Sequence, residues 1–164
     1  MNGAFLAGAV LCAACGGQAT SPPQMVVSDR KPIDVVLDDF HQAAAVADEA
    51  RYFGHFAAAG VFLGTDGTER WDVAAFRAYA HPHFAAGKGW TYRSSQRHVD
   101  FAADGRTAWF DERLENEKYG ALRGSGVVVF EAGEWRVAQY NLTFLVLNDR
   151  AGAVVELLTG RKPD

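Results

Sequence analysis

The sequence predicts an α+β fold in which helices pack on one face of an antiparallel sheet. Two patterns carry this expectation. Apolar residues in the first half recur at helical spacing, as in Ile33, Val36, Leu37, Phe40 and Ala44, whereas from Gly89 onward long stretches alternate apolar and polar residues between turn signals. Helices first and strands afterwards set helices against one side of a sheet, not between parallel strands. The length of 164 residues suits one domain. A chain of this size buries about 65–70 % of its unfolded surface, enough for a core without disulfides.

Residues 1–31 read as a leader and tether. From Ala4 to Cys15 the run is small and apolar, the length of a signal-peptide core and too short to span a bilayer. With Ala13, Ala14, Cys15, Gly16 and Gly17 it resembles a bacterial lipoprotein signal, which implies export, lipid attachment at Cys15 and a membrane tether. An ordinary cleaved signal, or a start codon placed too early, is the alternative. Residues 16–31 mix Gly, Ser, Thr and Pro as a linker does. Both cysteines, Cys12 and Cys15, lie in this segment, so the folded part has no disulfide and no thiol nucleophile.

The domain itself is expected over 32–148. Pro32 suits a first helical turn, and Asp34, Asp38 and Asp39 lie near the start of the amphipathic helix that follows. Asp48 is the N-cap expected for a short second helix carrying Tyr52, Phe53 and Phe56, with Gly60 ending that region. A brief strand is expected at 61–64. Asp72 is the expected cap of a third helix bearing Phe76 and Tyr79, which Pro82 should kink or end. Four strands follow, with turns at 103–106, near Glu117 and at Ala132-Gly133. Residues 149–164 form a weakly helical tail.

This order, with the stretches VFLGTDGTERW, GKGWTY, AWFDE, RGSGVVV and EWRVAQYNLTF, resembles the SnoaL-like branch of the nuclear transport factor 2-like superfamily over roughly residues 33–148. The resemblance implies a cone-shaped fold, in which a curved antiparallel sheet wraps three N-terminal helices and leaves an apolar pocket at its open end. It also implies homodimers through the sheet. Relatives include isomerases, cyclases, dehydratases and non-catalytic domains, so function has to be argued from the site.

If the hairpins are regular, alternation puts Trp109, Asp111, Arg123, Ser125 and Tyr140 on one sheet face, with Arg123 opposite Asp111. That face would line the pocket or a dimer contact. A one-residue bulge would exchange the faces and present Glu112, Gln139 and Asn141 instead. Asp111 as base and Tyr140 as hydrogen-bond donor would suit proton transfer beside a carbonyl, although a carboxylate held by Arg is a weak base. In FLGTDGTERW, Asp66-Gly67 makes a turn, with Trp71 as pocket wall and Asp66 as a polar lip.

The remaining motifs argue against other chemistries. His81-Pro82-His83 places two imidazoles on different helix faces without a cysteine or carboxylate set, so no metal is expected. Gly124 and Gly126 precede a strand, not the helix a phosphate loop needs, and permit curvature or close packing. A net charge of −4 with interspersed signs gives no footprint for nucleic acid. The expectation is a cofactor-free exported domain that binds a small apolar or aromatic molecule. Trp71, Trp90 and Trp109 would form its walls, and Asp111, Arg123, Ser125 and Tyr140 its polar groups. The alternatives are an acid–base isomerase, cyclase or dehydratase, and a partner-binding domain whose cone is filled by its own side chains.

Overall fold

The computed structural model describes residues 29–161. Cys12 and Cys15 lie outside the described residues. Three helices come first: α1 (Lys31–Ala45), α2 (Glu49–Gly54) and α3 (Val73–Ala85). Between the last two run β1 (Phe56–Leu63) and β2 (Arg70–Asp72). Then come β3 (Arg93–Phe101), β4 (Thr107–Asn116), β5 (Gly120–Glu131), β6 (Glu134–Phe144), a 3-10 turn (Asn148–Arg150) and α4 (Ala151–Thr159). The α+β class holds. Both expected caps form, with Asp48 accepting from the Arg51 amide and Asp72 from the Ala75 amide.

The strands make one curved sheet in the order β2-β1-β6-β5-β4-β3. Expected as wholly antiparallel, it is mixed, because β1 runs parallel to β6. The chain crosses from β1 through α3 before reaching the β3–β6 meander, and such a crossover permits a parallel neighbour. Three further differences have local causes. Phe56 opens β1 and not the end of α2, and Gly60 lies inside that strand at a bulge, where a Cβ would press on the Val137 carbonyl of β6. The sequence marks no strand between the Asp66-Gly67 turn and α3, but Arg70 and Trp71 pair with β1 as part of β2. Pro82 does not end α3, which continues to Ala85. Pro82 sits in the last turn, where it removes one hydrogen bond and few helical residues remain to be displaced.

The helices lie on the inner face of the sheet. Ile33, Leu37, Phe40 and Ala44 of α1, Tyr52 and Phe53 of α2 and Phe76, Ala80 and Phe84 of α3 meet Phe110, Leu114, Leu122, Val128, Val137 and Leu142 of the sheet. Alternation along β4 and β5 is strict, so each strand gives one side chain in two to this core.

Candidate functional site

Among the described residues, Glu112 is the one carboxylate fully buried in the core. It sits on β4 between Phe110 and Leu114, and its partners come from three other elements. His41 of α1 donates from Nε2 to Oε1 at 2.7 Å, and the Tyr140 hydroxyl of β6 donates to the same oxygen at 2.8 Å. Ser94 and Arg97 of β3 donate to Oε2 at 2.5 and 2.8 Å. Arg97 in turn reaches Asp34 and Asp38 on the first turns of α1. Burial alone would push the Glu112 carboxyl up, but the His41, Arg97 and Ser94 donors outweigh it and bring it down to about 2. Tyr140 goes the other way: burial and the neighbouring Glu112 charge raise its hydroxyl well above the ordinary value, so it stays a donor.

Two irregularities assemble this cluster. Ser94 and Arg97 are three residues apart and would face opposite sides of a regular strand. A bulge between Ser95 and His98, with Gln96 at φ 48°, turns both inward. Between β5 and β6 the register slips by one residue at Ala138, which turns Tyr140 to the inner face. Gly124 then leaves the gap through which the Tyr140 hydroxyl reaches Glu112, since a Cβ there would run into that hydroxyl.

An open cavity of about 320 Å³ lies at the wide end of the sheet. Trp71, Phe76, Tyr79, Trp90 and Tyr92 supply much of its wall, with Glu69, His83 and Lys88 as polar members. The rings of Phe62, Trp71 and Phe76 lie within 14° of one another, and Tyr79 stacks on Trp71 at 4.6 Å. Beside it lies a second, much smaller cavity of about 10 Å³, which shares Phe62, Trp90, Tyr92 and Leu142 with the first and is also lined by His41 and Tyr140. Aromatic mouth and buried polar cluster thus lie on either side of four shared wall residues.

Trp71 and Trp90 therefore stand where the sequence placed them, and Tyr140 lines the small inner cavity. The other expected site residues do not. The Ala138 bulge divides the predicted face: Asp111 pairs with Ser125, and Arg123 with Arg113, on the outer side of the sheet. Asp111 is held by no arginine and has His98 at 3.6 Å. Trp109, 49 % exposed, shares that outer face. Of the alternative trio only Glu112 turns inward, because Gln139 and Asn141 pair with the outer-facing Val127 and Ser125. Asp66 is exposed and spends its carboxylate on the Thr68 amide and hydroxyl, so Glu69 and Thr65 form the polar lip. His41, Ser94 and Arg97 were missed. His41 carried a signal, four residues after Leu37 on the apolar stripe of α1; Arg97 carried none, since only the bulge turns it inward.

The SnoaL-like domain family matches the chain over residues 33–146. A search of curated proteins finds no match. Among solved structures, a Novosphingobium aromaticivorans protein named for aromatic ring hydroxylation is 21 % identical, with a TM-score of 0.60 over 73 % of this chain and 90 % of its own. One from the same organism named for scytalone dehydratase is 12 % identical, TM-score 0.57, over 70 % and 83 %. A Streptomyces avermitilis protein of the NTF2-like family, named for dehydration, is 12 % identical, TM-score 0.58, over 71 % and 95 %. Identities this low speak to fold alone. The fold, with its helices inside a curved mixed sheet, and the family match over most of the chain agree, and the chain belongs to the SnoaL-like domain family.

Proposed function

We propose that the cone binds a small apolar or aromatic molecule in the mouth cavity. The observation that carries this reading is the cavity of about 320 Å³ walled by Trp71, Phe76, Tyr79, Trp90 and Tyr92, a volume at the lower end of ligand sites. An aromatic ligand would stack on rings that already lie nearly parallel, so little ordering is needed on binding. Titration with 2-naphthol, followed by tryptophan fluorescence, tests it. Saturable quenching is expected, weakened about tenfold by Trp71→Ala, the loss of one good aromatic contact. A linear response to 2-naphthol and to cyclohexanol alike would sink the reading.

A second reading, acid–base catalysis, is favoured by His41. Glu112 engages its Nε2, and no hydrogen bond to Nδ1 occurs among the described residues, so the Nδ1 lone pair is left unengaged on a ring that lines the small inner cavity. Glu112 itself is too well solvated by its donors to be the base. Exchange of the α-protons of 2-tetralone into deuterated water, read by NMR, is the test. Catalysed exchange that disappears in His41→Gln but survives in Asp111→Asn supports the reading, and no exchange above buffer defeats it.

Export, a lipid at Cys15 and dimers through the outer sheet face complete the proposal. The small apolar run before Cys15 supports the first two, and half-exposed Trp109 on the outer face supports the third. Intact mass of the chain recovered from a bacterial envelope, measured natively, reads all three.

A further inference from the structure

The last helix has no surface to lie on. At 100° per residue, Ala151, Val154, Val155, Leu157 and Leu158 fall on one broad arc of α4, with Gly152, Glu156 and Thr159 opposite. None of its residues is buried, and Leu157 and Leu158 are 84 % and 78 % exposed. A helix of nine residues is marginal in water without a packing partner, so this arc calls for one.

The point from which α4 leaves the domain identifies the partner. β6 ends at Phe144, whose ring meets Tyr119 edge-on at 5.5 Å. Tyr119 lines the mouth cavity, as does Leu142 two residues earlier. The helix is therefore tethered to the cavity rim by residues 145–150, of which Asn148–Arg150 form the 3-10 turn, and which would reach about 20 Å only if that turn opened. The mouth, walled by aromatic rings such as half-buried Trp71, Trp90 and Tyr92 and open to solvent, is an uncovered apolar surface at that rim. Two apolar surfaces on one short tether meet at an effective concentration that a separate chain would rarely match.

We propose that α4 is a lid that folds over the mouth cavity, its Val154–Leu158 arc against the aromatic rim, and so controls entry and release of the ligand. This rests on the cavity being the binding site, but its test does not depend on that. In the full-length chain with Cys12→Ser and Cys15→Ser, Lys88→Cys at the rim and Thr159→Cys at the end of α4, off the apolar arc, are treated with a short bis-maleimide. A cross-link within one chain is expected, abolished by Leu157→Asp with Leu158→Asp. Absence of a cross-link, or cross-linking only between chains as a swapped dimer would give, overturns the lid. Stopped-flow release of 2-naphthol gives the second measure: the same aspartate pair should speed dissociation about tenfold. Unchanged release from a chain that binds 2-naphthol also overturns it. If 2-naphthol binds no form of the protein, the binding proposal fails and the cross-link alone decides the lid.

Discussion

Glu112 remains ionised in the core because each of its oxygens accepts two donors, and that arrangement dictates the cost of changing any member. Glu112→Ala leaves the Arg97 guanidinium and His41 buried without their central acceptor. A loss of about 3–5 kcal/mol is expected from urea denaturation, the range for breaking a buried charge pair. Tyr140→Phe removes one donor of several and should cost only about 1 kcal/mol. Asp111→Asn, at the base that the sequence suggests, should stay within about 0.5 kcal/mol of the parent and leave 2-naphthol affinity unchanged, because Asp111 lies half-exposed on the outer face. At this scale the sequence was legible where one residue suffices, as with Trp71, Trp90 and the Asp72 cap. It was misleading where a residue's role depends on which face it takes. Glu112 and Asp111 are adjacent on β4, and only the strand register decides which of them enters the core.

Register is decided within the elements, by bulges and by glycines that admit a neighbour. The β5–β6 turn was readable from Ala132-Gly133, and both residues have positive φ, 51° and 87°, as a two-residue hairpin turn requires. Ala132 pays for that geometry with its Cβ. Ala132→Asn should therefore stabilise the domain by about 1 kcal/mol, read as a raised midpoint in thermal unfolding. The slip six residues further on, at Ala138, has no comparable mark, since an alanine in a strand does not announce a bulge. Gly124 is the indirect trace of it. Gly124→Ala would drive the Tyr140 hydroxyl off Glu112, and a loss of about 1–3 kcal/mol is expected from the overpacking. A Gly124→Ala, Tyr140→Phe double variant should recover part of that loss, because the clash is with the hydroxyl. An additive result would place the strain in the backbone instead. Helix ends and turns are thus local and legible, whereas bulges answer to packing between strands and stay hidden in one sequence.

For the whole molecule, the fold class and the helix-inside-sheet arrangement followed from period and order alone, and what escaped was the polar centre that ties the two layers together. That centre gives the domain a defined response to acid. The Glu112 carboxyl lies at about 2 in the folded protein against 4.5 for a free glutamate, so the folded state binds its proton less readily than the unfolded chain does. Its contribution to stability is full above about pH 4.5 and drains away as the pH falls toward 2, since the unfolded chain takes up the proton first. Asp39, brought to about 2 by Arg51 and His55, acts in the same direction from the surface, where solvent screens it. Urea midpoints measured between pH 7 and pH 2 should therefore fall steadily below pH 4.5 in the parent chain. Glu112→Gln cannot titrate, so it should be less stable at neutral pH and show a shallower fall, the two curves converging toward pH 2. Parallel curves would assign the acid response to surface carboxylates such as Asp39. Convergence would mean that one buried charge, gathered from α1, β3, β4 and β6, joins helix layer to sheet only while it remains ionised.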